Sequence, residues 1–405
     1  MNERIDRPIL IVTSLLALTG ILMIYSATHN QAAVRTTQYV MQSGWFIFGL
    51  IAMYCAALLP TRFLQAITVP AFIITVLALA ATLMADSVKG SSRWLRFGAI
   101  SIQPSEMAKI VVIMALAWYL ERRKPSVKKS SVLIVACLIV GIPVALILKQ
   151  PDLGTSLVFG AILCFMLYWS GLGILELLLF LSPVASVLIT VISGFDWVAW
   201  TVFMVSLFAL IFIARPPPVI STILLVIHIG VGLITEPLWN SLHDYQRLRV
   251  ETFLNPQTDT LGAGYQIIQS KIAIGSGGLM GRGLLQGSQT QLAFLPEQQT
   301  DFIFSVIGEE LGFLGSIIVL GLFYVLIVRS IQIAVNVKGR YQSLLASGCV
   351  AVVTFHVLMN VGMTTGLLPV AGVPLPFLSY GGSSLLTNMI MCGLILNVWR
   401  RRYEY

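Results

Sequence analysis

Residues 8–25 read PILIVTSLLALTGILMIY, eighteen positions without a charged side chain. In hydrocarbon an unpaired backbone group costs several kcal/mol, so a chain crosses a bilayer as helices or as a closed barrel, and an apolar run of about 20 residues without alternation selects the helix. No small-residue cleavage pattern follows this run, so it is expected to stay as a span rather than leave as a signal peptide. Similar runs recur at 41–59, 65–85, 105–121, 131–148, 154–170, 173–194, 197–214, 217–236, 302–328, 341–365 and 380–399. The sequence therefore predicts an all-α polytopic membrane protein, a single integral membrane domain over 1–405 with about twelve transmembrane helices. Composition agrees: 57% of the residues are hydrophobic and 10% charged, against about 25% charged in a typical soluble domain.

The net charge of +8 raises the question of nucleic acid. The basic residues lie in short clusters between apolar runs, which is a topology signal, and no nucleic-acid partner is expected. Lys and Arg stay on the cytoplasmic side of short loops. With the N-terminus inside, the clusters ERRKPSVKK (121–129) and WRRRYEY (399–405) fall inside, and the inner segments hold 15 of the 25 basic residues. An even number of spans puts both termini on that side. Three polar or Pro/Gly-rich segments then converge outside: a large loop over 237–302, GSSRWLRFGAISIQPSE (90–106) and GLLPVAGVPLPFLSYGG (366–382).

The large loop interrupts an otherwise lipid-soluble chain and concentrates its polar chemistry. Asp301 stands at the entrance of a span, after the loop PEQQT and before Phe302. A half-desolvated carboxylate there is a better proton acceptor than one in open water, which suits a general base. A helix-capping role for Thr300 and Asp301 fits the same position equally well. Glu309 and Glu310 follow inside the span, where ionised groups mark function or an internal ion pair; pairing with Lys109 or Lys149 is the expectation. Glu106 and Lys109 share one face of a helix opened by Pro104, with Arg93 and Trp94 just before it. A cation beside an aromatic suits a phosphate or a sugar ring, while Trp at this depth also serves as an interfacial anchor. Arg247, Arg249 and Lys271 are further phosphate candidates, although loop cations are commonly just solvated.

The glycines at 275, 277, 278, 281 and 283 follow no strand, so they imply backbone bends or a close approach rather than a dinucleotide fingerprint. Four histidines show no metal-ligand spacing, and five cysteines fall in apolar runs without a CxxC pair, so neither a histidine metal site nor a disulfide is expected.

Six ordered segments carry a resemblance: RWLRFGAISIQPSEMAK (93–109), KQPDLGTSLV (149–158), HDYQRLRVETFLNP (243–256), LGAGYQIIQSKIAIGSGGLMGRG (261–283), LPEQQTDFIFSVIGEELG (295–312) and GLLPVAGVPLPFLSYGGSS (366–384). Over nearly its whole length the chain resembles the SEDS family of shape, elongation, division and sporulation proteins. The resemblance implies a peptidoglycan glycosyltransferase that polymerises lipid II at the outer surface of the bacterial cytoplasmic membrane during elongation, with a class B penicillin-binding protein and other elongation-complex membrane proteins as partners. By motif, the family's essential Asp falls on Asp301. Around that carboxylate, Glu297, Thr300, Arg93, Trp94, Lys109, Arg247, Arg249 and Lys271 are the expected substrate-binding residues from their charge and position, with Glu106, Asp152, Glu309 and Glu310 in support. A divalent cation such as Mg2+ or Mn2+ on the pyrophosphate is the one cofactor that chemistry suggests. Two departures stand out: Gln299 precedes Thr300 where relatives often have His, and 195–236 reads as a helix pair added to a family core of ten. Two rival readings, a transporter of the lipid-linked precursor and a non-catalytic scaffold, remain open at this point.

Overall fold

The computed structural model describes residues 6–29, 37–84, 94–97, 100–123, 130–241, 247–248, 251–253, 255 and 262–403. Helices α1 (Arg7–Thr28), α2 (Gln38–Leu58) and α3 (Thr61–Met84) open the chain. A ribbon follows, β1 (Leu95–Phe97) antiparallel to β2 (Ile100–Ile102), with Arg96 opposite Ser101. Then come α4 (Pro104–Glu121), α5 (Ser130–Lys149), α6 (Leu153–Trp169), α7 (Ile174–Ile192), α8 (Trp197–Ala214) and α9 (Pro218–Ser241). Three short helices, α10 (Ala263–Ser276), α11 (Ser288–Gln291) and α12 (Ile303–Glu310), precede α13 (Gly312–Asn336), α14 (Arg340–Thr365) and α15 (Gly382–Arg400). Ten of these helices are long and apolar enough to cross a membrane. Two further long helices fall outside that set: α6 has 17 residues, and α4 carries Glu106, Lys109 and Glu121. The chain is a multi-pass helical membrane protein, and the small ribbon is its one departure from an all-α reading among the described residues.

Two boundaries differ from the sequence expectation. The apolar run at 302–328 is two helices, because Gly312 adopts φ +67 and separates α12 from α13. A Cβ there would press on the backbone of Met280 and Leu279 at 2.7 Å, so glycine is required both by conformation and by space. The run at 217–236 continues through Pro237 to Ser241, which shortens the large loop at its start.

The interior is built around α14 and α15, whose side chains are mostly buried, whereas α8 buries Leu207 alone. Lipid gives apolar helices no hydrophobic reason to associate, so the central contacts use small residues and polar groups. Gly393 of α15 lies against α2, where an added Cβ would come 2.8 Å from Ala56 Cβ and 2.9 Å from Met53 Cα. One turn on, the Asn397 amide donates to the free carbonyls of Ala56, Ala57 and Leu59 at 3.1, 3.2 and 2.6 Å, closing the C-terminus of α2. Helices α8 and α9 pack on α7 through Leu179, Leu207 and Leu224.

Both ends of the chain meet at one end of the bundle. Asp6 pairs with Arg329 at 2.7 Å, and the same guanidinium lies 5.0 Å from the Trp399 ring. Ser26 and Ala27, at the other end of α1, accept hydrogen bonds from Gln291 and Gln298 of the Asp301 region. Overpacking the α2–α15 contact with Gly393→Leu is expected to cost about 1–3 kcal/mol, read as a lowered melting temperature of the detergent-solubilised protein.

Candidate active site

The segment carrying Asp301 is irregular, and irregular backbone at this depth must find its hydrogen bonds within the protein. The N-cap position of α12 falls on Phe302, so neither Thr300 nor Asp301 is that helix's cap. The Asn360 amide, fully buried in α14, donates to the carbonyl oxygens of Asp301 and Val373, each at 2.8 Å. The Ser379 hydroxyl donates to the Thr300 carbonyl at 2.6 Å and accepts from the Leu375 amide at 2.8 Å. The Tyr380 amide donates to the Gln299 carbonyl at 2.8 Å. Residues 299–301 are thus stitched to the 366–381 turn, and Ile267, Leu295, Phe302 and Val370 form a small apolar cluster beneath.

Above the stitching opens a cavity of about 440 Å³, lined by Asp301, Glu297, Thr300, Trp94, Gln103, Glu106, Asp152, Thr155, Gly372, Tyr380 and Ser384 among others. Its size falls in the range of small-ligand sites, about 300–1,000 Å³. Asp301 faces Gly372, whose missing side chain leaves its carboxylate room: a Cβ there would lie 3.4 Å from Oδ2. Asp152 caps α6, accepting from the Thr155 amide at 3.2 Å and from its hydroxyl at 2.9 Å. Glu297 holds φ +52, a conformation L residues seldom adopt and one that clusters at functional sites. Burial raises the Tyr380 phenol, which stays a neutral hydroxyl near pH 7.

Six residues singled out in the sequence share this cavity: Trp94, Glu106, Asp152, Glu297, Thr300 and Asp301. Lys109 lies below it, 1% exposed, its ammonium 2.8 Å from Glu106 Oε1. Arg247 does not line the cavity; it lies 5.9 Å from the Trp239 ring and donates to the Trp239 carbonyl at 2.9 Å. Lys271 also lies outside the lining, its stem over Gly366 at the C-terminus of α14, where helix carbonyls favour a cation. Arg93 and Arg249 fall outside the described residues. Gln103, Thr155, Tyr380 and Ser384 were not singled out, nor were Asn360 and Ser379, which position the backbone. A buried amide in the middle of an apolar helix was the available signal for Asn360.

The expected pairing of Glu309 and Glu310 with Lys109 or Lys149 is corrected. Glu309 accepts from the Gln289 and Thr290 amides at 2.8 and 3.0 Å and from the Thr290 hydroxyl at 2.7 Å, capping α11, whose amide dipoles supply the compensation a lysine would have given. Glu310 accepts from the Ser26 hydroxyl at 2.6 Å. The glycine run lies here: the Arg282 and Gly283 amides donate to the Glu309 and Glu310 carbonyls, each at 3.0 Å, and Gly277 and Gly281 approach the 308–310 backbone closely. Among the described residues no three His, Cys, Asp or Glu side chains come together as a metal cage.

The family model for the cell cycle proteins FtsW, RodA and SpoVE matches this chain over residues 6–199 and 178–404. The chain belongs to that family. It is 35% identical over 401 residues to the peptidoglycan glycosyltransferase MrdB of Escherichia coli, covering 98% of this chain and 94% of that one. It is 36% identical over 431 residues to the peptidoglycan glycosyltransferase RodA of Treponema pallidum, covering 98% of each. Among solved structures it is similar to a peptidoglycan synthase complex component described for coordinated polymerization and crosslinking, with TM-score 0.74, 29% identity and 99% of each chain covered. It is also similar to the rod shape determining protein RodA of Thermus thermophilus, with TM-score 0.64, 25% identity and 99% of each chain covered.

Burial raises the Glu310 carboxyl, with the Ser26 hydrogen bond opposing. A carboxyl whose folded pKa is raised favours folding most when protonated, and that contribution is lost as pH rises through the raised value. Glu310→Gln is therefore expected to lessen the fall of melting temperature as pH rises above the ordinary carboxylate range, and to raise it by about 1–3 °C at the upper end of the range tested. Thermal unfolding of both proteins in detergent across that range is the measurement.

Proposed function

We propose that, in the peptidoglycan glycosyltransferase reaction of this family member, Asp301 is the general base. It takes the proton from the 4-hydroxyl of the GlcNAc of an acceptor lipid II. That oxygen forms its bond to C1 of the donor MurNAc, the bond from C1 to the phosphate oxygen breaks, and undecaprenyl pyrophosphate leaves with the electron pair, giving inversion at C1. A positioned base contributes about 10² to 10⁴ in rate. The observation that carries the reading is that Asp301 lines a cavity of about 440 Å³ while its own backbone is clamped by Asn360. A clamped base holds its geometry while a large substrate arrives.

The lining refines which part of the substrate sits there. It holds four carboxylates, Glu106, Asp152, Glu297 and Asp301, with Gln103, Thr155, Tyr380 and Trp94, and no cation among the described residues. Acceptor oxygens and aromatic faces suit sugar hydroxyls and sugar rings, whereas a leaving pyrophosphate needs positive charge. In this reading the acceptor sugar occupies the cavity and the pyrophosphate lies beyond it. Arg93, next in sequence to the cavity residue Trp94, and Arg249 stay as proposed pyrophosphate ligands. Lys109 acts through Glu106 rather than on substrate, and Arg247 and Lys271 bind at the periphery.

The Asp301 end is proposed to face the exterior of the bacterial cytoplasmic membrane, with both termini in the cytoplasm. The assignment rests on the basic clusters at the opposite end. Lipid II is the proposed substrate, elongation the proposed setting, and a class B penicillin-binding protein the proposed partner, in keeping with the complex described for the solved relative. The helix pair over 195–236 is read as an addition to the family core.

Asp301→Asn is expected to lower polymerisation of lipid II by about 10² or more, measured as glycan chain formation by the purified protein in detergent, with the melting temperature nearly unchanged. Glycan chains formed at the normal rate would remove Asp301 from the role. Detergent also separates the rival classes, since a transporter or scaffold makes no polymer when substrate is supplied directly. Asn360→Ala, which touches no substrate, is expected to lower kcat about tenfold or more through lost positioning, with KM little changed.

A further inference from the structure

A second cavity, of about 730 Å³, lies apart from the one at Asp301. It is lined by Pro60, Thr61, Arg62, Gln65, Glu121, Lys338, Gly339, Tyr341, Gln342 and Arg401. Helix α4 carries Glu106 near its start and Glu121 at its end, and α15 follows Gly381 and runs toward Arg401. The two cavities therefore lie at opposite ends of the same helices, roughly 27 Å apart along an 18-residue helix at 1.5 Å per residue. No step of the glycosyl transfer uses the second one.

Its chemistry is the reverse of the first. Among the described residues its lining holds three cationic side chains, Arg62, Lys338 and Arg401, and one carboxylate, Glu121. The carboxylate is engaged by the Gln65 amide at 3.1 Å, and Arg401 also donates to the Leu58 carbonyl at 3.2 Å. The 26-residue helix α14 begins here, with Gly339 at its N-cap and no side chain capping its first amides. A helix N-terminus adds partial positive charge and oriented N–H donors to the cluster. Gln342, whose amide donates to the Thr61 hydroxyl at 3.2 Å, ties this terminus to the start of α3. Helix ends make up most of the wall: α3 and α14 begin at it, and α4 and α15 end at it. Ends of membrane-spanning helices as a rule meet the headgroup region, and basic pockets between helices there take phosphate-bearing headgroups.

We propose that this cavity is a binding site for a phosphate ester at the membrane surface opposite Asp301, held by Arg62, Lys338 and Arg401 with the N-terminus of α14. A phospholipid headgroup and a soluble phosphate compound present the same dianion or monoanion to these groups, and the experiment separates the two.

The full-length protein, purified in neutral detergent, is titrated with phosphatidylglycerol and with phosphatidylcholine and bound lipid is counted by native mass spectrometry. A parallel series follows melting temperature with inorganic phosphate or pyrophosphate. The same is done for Arg62→Gln combined with Lys338→Gln, two exposed positions whose unliganded melting temperature and lipid II polymerisation are expected to match the parent. The expected result is retention of phosphatidylglycerol over phosphatidylcholine by about tenfold or more, lost in the double variant. Stabilisation of the parent but not the variant by phosphate or pyrophosphate, without lipid selectivity, would support the site with a soluble ligand. Glu121→Gln, removing the opposing charge, is expected to tighten whichever ligand binds. Equal binding of every probe by parent and double variant, or no binding of any anionic probe by the parent, overturns the proposal. Loss of polymerisation in Asp301→Asn is independent of either outcome.

Discussion

A bilayer supplies no water to a broken helix, and that constraint organises the functional end of this protein. The chain leaves regular structure at 292–302 and again at 366–381, and each departure exposes amides and carbonyls that hydrocarbon cannot satisfy. The solution is mutual: the two segments bond to each other and to α14. Asn360 serves both at once, reaching Asp301 and Val373 with the two hydrogens of one amide. Ser379 works in the same way, accepting from Leu375 while donating to Thr300. What satisfies the backbone also fixes the carboxylate, because Asp301 cannot move without breaking the bonds that keep its carbonyl out of lipid.

The second irregular region solves the same problem with carboxylates. The turns between α10 and α12 carry free amides, and Glu309 and Glu310 supply the acceptors. Both acids looked in the sequence like members of ion pairs, since the periodic pattern shows charges but not the loop amides that fold back onto them. A one-turn helix has no sequence period of its own. Its N-terminus was therefore invisible as a counter-charge until the chain was folded.

Helix existence was legible because apolar length is a strong signal in a membrane protein, and the twelve apolar runs each contain a long helix. The exception at 302–328 came from Gly312, whose conformation ends one helix and whose surroundings start another, a fact carried by geometry rather than by hydropathy. In the site, the charged and aromatic members were legible at Trp94, Glu106, Asp152, Glu297 and Asp301, since such residues are rare in this chain and conspicuous. Of the neutral polar ones, Thr300 alone was, through its place beside Asp301. Gln103, Thr155 and Ser384 look like ordinary polar residues near a helix end, and only the approach of α4, α6 and α15 makes them one wall. The cations stand apart from the lining: Lys109, Arg247 and Lys271 meet Glu106, Trp239 and the C-terminus of α14.

Charge is separated along the bundle axis, and the separation bears on how the protein sits. Four carboxylates line the cavity at the Asp301 end, and three cations line the cavity at the other end. The contacts of Arg329 with Asp6 and Trp399 place the chain's two ends with the cations, so both belong to the basic side. Transfer of Lys and Arg across a membrane is disfavoured during insertion, and negative charge carries little weight in that rule. The proposed orientation therefore depends on the basic end, and the carboxylates at the other end do not oppose it. A cavity lined by carboxylates is compatible with insertion there because the helices that hold it end in basic residues at the opposite face. The buried Glu106–Lys109 pair lies between the two, one turn below the acidic cavity, and neutralises the carboxylate nearest the core, so the acidic character of the site ends where the apolar interior of α4 begins.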